Sequence, residues 1–235
     1  MAGRIARARS TQPEWMDTET VAADDFAACL ADLATVNTVT LARLPTVAFM
    51  RRAARRAGGR PLRVLDVGCG EGDMLRRLHR WSVRAGQALE LVGLDRNPVG
   101  IEAARAATPA SVPIEYRTAD IFDPGLGQFD VILSALFTHH LSNAEIIAFL
   151  HVMEAHASLG WFINDLHRHP IAYHGFRALS RVAGWHSFVQ HDGPISVARS
   201  FSRRDWHGLL HDAGLDDAAV VRWHAPFRYC VTRFK

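Results

Sequence analysis

Lysine is almost missing from this chain: Lys235 is the only one among 235 residues. Arginine therefore carries nearly all of the positive charge, and so one-sided a usage reads as coding bias rather than recognition chemistry. Formal net charge is only +3. A nucleic-acid footprint wants a basic stripe interleaved with exposed aromatics, and the sequence shows instead two separate clusters, Arg4, Arg7 and Arg9 near the start and Arg51, Arg52, Arg55 and Arg56 at a helix end. A nucleic-acid partner is not expected. Cysteine is scarce too. Cys29, Cys69 and Cys230 are far apart and odd in number, which excludes a disulfide framework and a CxxC zinc site and suits a reduced, cytoplasmic protein. No run of about 18 apolar residues occurs, so no membrane span is expected. The arginines of the N-terminus precede no apolar segment, so a secretory signal is not expected there. Internal repeats and low-complexity tracts are absent as well.

What is present is an ordinary globular balance, 49% hydrophobic and 22% charged, in a chain long enough for one α/β domain with an added lobe. Residues 1–16 are polar, contain Pro13, and read as a flexible leader. Residues 17–58 read as a helical N-terminal cap: Phe26, Leu30 and Leu33 recur at helical spacing, Pro45 opens a second helix, and Gly58-Gly59 closes it. From residue 59 strands and helices alternate. Apolar runs at 62–68, 88–95, 113–120, 128–136 and 158–166 suit buried strands. Asn97-Pro98 opens one intervening helix, and the capping-box pattern Ser142 to Glu145 opens another. Such alternation implies a parallel sheet with helices on both faces. Residues 167–200, rich in His and aromatics, break the rhythm and read as an insertion. Ser202 to Asp205 starts a last helix, and strands at 217–224 and 227–234, joined by Ala225-Pro226, must form an antiparallel hairpin. The expected fold class is α/β: a doubly wound seven-stranded sheet, mostly parallel with an antiparallel C-terminal hairpin strand, plus the helical cap.

The first strand ends in Asp66-Val67-Gly68-Cys69-Gly70-Glu71-Gly72. In a doubly wound sheet, ligands bind at the carboxyl ends of strands, and glycines there let a ligand approach the backbone. A nicotinamide dinucleotide turn would read GxGxxG. This one reads GxGxG, with acids at Asp66, Glu71 and Asp73 that repel a pyrophosphate and suit a cationic ligand.

The ordered set of motifs over residues 62–234 resembles the class I S-adenosylmethionine-dependent methyltransferases. Asp66 to Gly72 resembles their first motif, around the methionine part of the cofactor. Leu94-Asp95 resembles their second-strand acid, which binds the ribose, with Arg96 beside it. Ala119-Asp120-Ile121 resembles the stretch facing the adenine. Phe129 to Leu133 resembles their fourth strand, and Ala135, Leu136 and the residues to Leu141 the segment just past it. The resemblance implies S-adenosyl-L-methionine as cofactor, held by Asp66, Gly68, Cys69, Gly70, Gly72, Asp95, Arg96, Asp120, Ile121, Ala135 and Leu136.

Methyl transfer needs a nucleophile placed beside the methyl group and water excluded; a phenol or catechol oxygen also profits from a base, for which His is suited. His139 and His140, just past the fourth strand, are the candidate catalytic pair, against the plainer reading of packing or capping. Asn164, Asp165, His167, Arg168, Tyr173 and His174 are candidates for the acceptor pocket, with 167–200 as a lid over a flat substrate. His167, His169, His174 and Asp165 could be weighed as metal ligands, but the family resembled rarely needs a metal, and none is expected. The reading is O-methylation of an aromatic, polyketide or quinone-like small molecule. N- or C-methylation in quinone or other secondary metabolism, or a non-catalytic cofactor-binding scaffold, are the alternatives.

Overall fold

The computed structural model describes residues 8–18, 29, 32–33 and 35–235. Arg4, Arg7, Phe26 and Leu30, used above, lie outside them. The described chain opens with the short helix α1 (Trp15–Thr18) and, after helical residues 35–39, α2 (Leu44–Ala57). Then come β1 (Leu62–Val67), α3 (Asp73–Ala85), β2 (Leu89–Asp95), α4 (Pro98–Ala107), β3 (Ile114–Thr118) and β4 (Phe129–Ala135). A 3-10 turn (Thr138–His140), α5 (Asn143–His156) and β5 (Ala157–Leu166) follow. The chain ends with α6 (Pro170–Val182), α7 (Ser187–Arg199), α8 (Arg203–Asp212), β6 (Val220–His224) and β7 (Arg228–Phe234).

The seven strands form one sheet in the order β3-β2-β1-β4-β5-β7-β6. β1 to β5 pair in parallel, and β7 alone runs the other way, antiparallel to both β5 and β6. The strand order reverses between β1 and β4, which opens a crevice at their carboxyl ends. Both faces of the sheet are covered. Leu65, Val67 and Ile132 pack with Ile146, Phe149 and Trp206 of α5 and α8. Val64, Leu91 and Leu133 pack with Phe49, Leu75 and Ile101 of α2, α3 and α4. Burial on both faces explains why these strands read as continuous apolar runs rather than as alternating ones.

Local signals hold at the expected places. Pro45 starts α2 and Gly58, at φ +63°, ends it. Asn97 caps α4 by accepting from the Val99 N–H, and both capping boxes, Ser142–Glu145 and Ser202–Asp205, are closed in both directions.

Residues 167–200 are not irregular; they form the helices α6 and α7. Histidine is the reason the sequence hid them. His169 caps α6 by accepting from the Ile171 N–H, and His186 caps α7 by accepting from the Phe188 N–H. Imidazole Nδ1 does here what Ser or Asp does elsewhere, so the usual cap residue is missing at both starts, although Pro170 stands at the first position of α6.

The polar leader is another departure. Residues 8–16 lie along α7, and Arg9 anchors them. Its guanidinium donates to the carbonyls of Arg199 (2.8 Å) and Leu141 (2.8 Å) and to Asn143 Oδ1 (2.7 Å), and it stacks over Phe201 at 4.4 Å. Farther on, the main-chain N–H groups of Trp15 and Met16 donate to the two oxygens of Asp192 at 2.8 and 3.0 Å. The Trp15 ring stacks on His191 at 3.6 Å. We call residues 8–16 the strap. Asp192→Ala removes both main-chain anchors and leaves two donors unsatisfied, a cost of about 1–3 kcal/mol. The strap of that variant is expected to be cut by trypsin at Arg9 at least tenfold faster than in the wild type, with the rest of the fold intact; equal rates would show that Asp192 does not hold it.

Candidate active site

The glycine turn joins β1 to α3. Gly68, Gly70 and Gly72 have φ of +70°, +51° and +74°, a region that favours glycine. Their surroundings differ. A Cβ on Gly68 would meet the Phe137 ring at 2.8 Å, and one on Gly72 would meet the Tyr116 ring at 2.7 Å. A Cβ on Gly70 would meet nothing within 4 Å. At Gly70 only the left-handed backbone calls for glycine and the space above it is open, whereas at the other two neighbouring aromatic rings also leave no room for a Cβ.

Asp66, the last residue but one of β1, is 3% exposed. Burial, then the nearby Asp73 and Asp95 carboxylates, push its pKa up to about 8. A buried acid with this pKa is a ready partner for a cation. Asp95, at the end of β2, accepts from the Gly70 N–H (2.9 Å) and the Asn97 N–H (2.9 Å), so the second-strand acid is bound to the turn itself. Arg96 and Asp120 meet at 3.3 Å across the ends of β2 and β3. These residues and the open space over Gly70 fit a ligand with a cationic amino-acid part and a diol: Asp66 would face the first and Asp95 the second.

Two of the expected cofactor residues turn their side chains into the core, which leaves only their main chain to face a ligand. The Cys69 side chain, 7% exposed, packs in the core below β2, where a Cβ on Gly93 would lie 2.9 Å from its sulfur. Ile121 is 3% exposed and packs in the opposite core layer. The exposed apolar side chain of that turn is its neighbour Phe122, at 40%. Ala135 and Leu136, past β4, are half-buried. Leu136 has φ +57°, an unusual conformation for a branched residue, and its N–H donates to the Asn164 carbonyl at 2.9 Å.

Immediately beyond stand the two histidines. His139 is 4% exposed. Its Nδ1 lies 2.8 Å from Asp165 Oδ1, and Asp165 Oδ2 accepts from the Thr138 hydroxyl (2.5 Å) and the His139 N–H (3.1 Å). The Leu166 N–H donates to Oδ1 at 2.7 Å. Burial alone would raise the Asp165 pKa; the His139 charge and these hydrogen bonds outweigh it and hold the group at about 2. Asp165 is therefore the orienting partner of His139 rather than a wall of the acceptor pocket. With Nδ1 engaged, Nε2 of His139 is directed away, 3.8 Å from Glu14 Oε1 of the strap. Glu14, 5% exposed, is a residue that sequence reasoning missed. Arg199 donates to the carbonyls of His139 (3.1 Å) and His140 (2.9 Å), fixing the turn that presents both rings.

The remaining acceptor candidates divide. Asn164 is fully buried and turned toward the cap, donating to the Ala42 carbonyl at 2.7 Å. Arg168, 4% exposed, is committed to Asp205 (2.5 Å) and the Ser200 carbonyl. Both hold the fold together. His167 is half-buried; it accepts from the Trp223 indole N–H at 3.2 Å and sits 4.6 Å from the Tyr229 ring. Burial, then the neighbouring His169 and Arg168, lower its pKa to about 4. With His169 and Phe227, stacked at 5.4 Å, it makes an aromatic shelf at the carboxyl end of β5. Tyr173 is half-buried and His174 exposed, edge-on to each other on α6. Two cavities, of about 370 and 570 Å³, lie away from all of this. The first is lined by Arg51, Arg77, Arg80, Arg84 and Trp81, the second by Arg52, Arg55, Arg56 and Arg222. The fold thus gathers arginines that the sequence scatters.

Residues 64–160 match a family model described as "Methyltransferase domain". No curated protein matches in sequence. Among solved structures, the chain is similar to the plantazolicin methyltransferase BpumL in complex with a monoazolic desmethylPZN analog and SAH, with TM-score 0.67 at 16% identity, covering 94% of this chain and 92% of that one. It is similar to magnesium protoporphyrin IX methyltransferase (ChlM) from Synechocystis PCC 6803 with bound SAM, at TM-score 0.53 and 13% identity, covering 82% and 79%. LepI in complex with SAM gives TM-score 0.56 at 17% identity, covering 79% of this chain and 46% of that one. At these identities the likeness is one of fold.

Proposed function

We propose that this chain, whose residues 64–160 match a methyltransferase domain, is an S-adenosylmethionine-dependent methyltransferase that methylates a hydroxyl of a small aromatic acceptor in secondary metabolism. The observation that carries the reading is His139: buried beside the carboxyl end of β4, with Nδ1 fixed by Asp165 and Nε2 directed elsewhere. When bound, S-adenosylmethionine supplies an electrophilic methyl carbon on a sulfonium, which leaves with the C–S electron pair staying on sulfur.

What the protein must add is position, exclusion of water and help for the hydroxyl proton. Asp66 holds the cationic amino-acid part of the cofactor and Asp95 its ribose hydroxyls. His139 and His140 border the acceptor oxygen and assist loss of its proton as the oxygen bonds the methyl carbon. The shelf of His167, His169 and Phe227 supports a flat ring, and α6, with Tyr173 and His174, closes over it. Two proteins of similar fold are compatible with a flat acceptor: BpumL is seen with a monoazolic desmethylPZN analog, and ChlM is a magnesium protoporphyrin IX methyltransferase.

S-adenosylmethionine is expected to raise the melting temperature and NAD to leave it unchanged; the reverse result ends the reading. With a panel of phenols, the protein is expected to release S-adenosylhomocysteine. His140→Ala is expected to lower kcat at least tenfold, about 1.4 kcal/mol in the barrier, while the cofactor Kd stays within threefold. Unchanged turnover across pH would remove the histidines from the chemistry.

A further inference from the structure

Three potential metal-binding side chains meet where the acceptor is expected. Glu14 comes from the strap, His139 and His140 from the turn after β4. One ligand atom from each lies within 4.8 Å of the other two. His139 Nε2 and Glu14 Oε1 are 3.8 Å apart. The two imidazole rings are 4.3 Å apart and tilted by 36°, so they do not stack face to face.

Burial makes the cluster unusual. Glu14 and His139 are 5% and 4% exposed, and His140 is half-buried. An acid so deeply placed is ordinarily paired or bound to a metal. The apolar anchors of the strap, Trp15 and Met16, pack on the α7 side, beyond Glu14 itself. The strap is held at two points, by Arg9 on one side of Glu14 and by Asp192 on the other.

The surroundings supply what a metal site needs beyond its ligands. A metal-binding histidine usually gives its second nitrogen to a carboxylate, which fixes the tautomer and the ring. Asp165 does this for His139, at 2.8 Å on Nδ1, and is itself held by Thr138 and by two main-chain N–H groups. Arg9 and Arg199 lie close, but the contacts they make on this turn are to main-chain carbonyls. These bonds hold the backbone that presents the two imidazoles.

We propose that Glu14, His139 and His140 form a binding site for one divalent transition metal ion of the zinc type. Two imidazoles and one carboxylate suit Zn²⁺ or its analogue Co²⁺ and are too soft for Mg²⁺. Three protein ligands leave a position open, the mark of a catalytic site. The acceptor oxygen takes that position. Bound to the cation, its hydroxyl loses a proton to bulk water at lower pH than when free. The proposal deepens the methyltransferase reading and rests on it only for what occupies the open position. It also makes the strap part of the site, because without Glu14 the two histidines alone bind weakly.

The experiment is a titration of chelator-stripped full-length protein with ZnCl₂ by calorimetry and with CoCl₂ by visible absorption. One equivalent per chain is expected, with a tetrahedral-type Co²⁺ band in the visible. MgCl₂ is expected to give no heat of binding. Glu14→Gln and His140→Ala are each expected to weaken Zn²⁺ binding at least tenfold, while S-adenosylmethionine still raises their melting temperature as in the wild type, which shows that they fold. Absence of saturable Zn²⁺ binding, or equal affinity in both variants, would overturn the proposal and leave Glu14 as a hydrogen-bonding partner of His139. Zinc binding without S-adenosylmethionine binding would sustain the metal site and reject the methyltransferase reading; the opposite pair of results would do the reverse.

Discussion

Asp66→Asn is expected to weaken S-adenosylmethionine binding about 100-fold while making the unliganded protein more stable at pH 8. Both effects follow from one buried carboxyl group. Asp66 is 3% exposed, and burial with the neighbouring Asp73 and Asp95 raises its pKa to about 8. In the unfolded chain an aspartate ionises near pH 4. Between these values the folded protein binds more protons than the unfolded one, so stability falls as pH rises through that window. Asparagine has no such penalty. The variant is expected to gain roughly 2 kcal/mol at pH 8, a rise in melting temperature of about 5 °C.

Ligand binding works in the other direction. A cationic ligand favours the carboxylate and releases its proton, so wild-type affinity is expected to rise between pH 6 and 8 by up to tenfold per unit, the limit for one proton. In Asp66→Asn that slope should vanish along with most of the affinity. Calorimetry in two buffers of different ionisation enthalpy counts the released proton. If the variant binds S-adenosylmethionine as tightly as the wild type, Asp66 does not face the ligand.

Asp165→Asn carries the second large effect, and it falls on turnover. The carboxylate accepts from the Thr138 hydroxyl, the His139 and Leu166 N–H groups and the His139 ring. An amide of the same shape must turn an NH₂ toward one of these donors. The lost bond and the unsatisfied donor cost about 2–3 kcal/mol, and His139 loses the partner that fixes its ring. Turnover is expected to fall 10- to 100-fold, with cofactor affinity within threefold of the wild type because the glycine turn is untouched. Denaturant unfolding and steady-state rates on the same preparation separate the two effects. Wild-type turnover in a destabilised protein would reduce Asp165 to a packing role.

The fold was largely legible because its signals are local. An apolar run between turn residues, a capping box and a Pro-start or Gly-stop each involve only a few neighbouring residues, and these marked β1 to β5 and most of the helices between them. The two-residue link Ala225-Pro226 left the last strands no geometry but a hairpin. The residues proposed for the cofactor carry local signals too: Asp66, Gly70 and Asp95 lie at or just past the carboxyl ends of the adjacent strands β1 and β2. The His-capped helices α6 and α7 were not, since imidazole is an uncommon cap.

What the acceptor side is made of depends on separations that no local pattern records. Asp165 and His139 are 26 residues apart, and Arg9 reaches Leu141 across 132. Glu14 stands in a polar stretch whose composition suggests only mobility. By itself, then, the chain determines an α/β sheet with an acidic glycine turn at its switch point, because periodicity and turn chemistry act over a few residues. Only the tertiary structure decides that Gly68 and Gly72 serve aromatic rings, that Asn164 and Arg168 brace the fold, and that Asp165 and Glu14 flank His139. Side-chain partners across a sheet are chosen by the closing of the whole fold, and each residue carries no mark of its partner in the residues beside it.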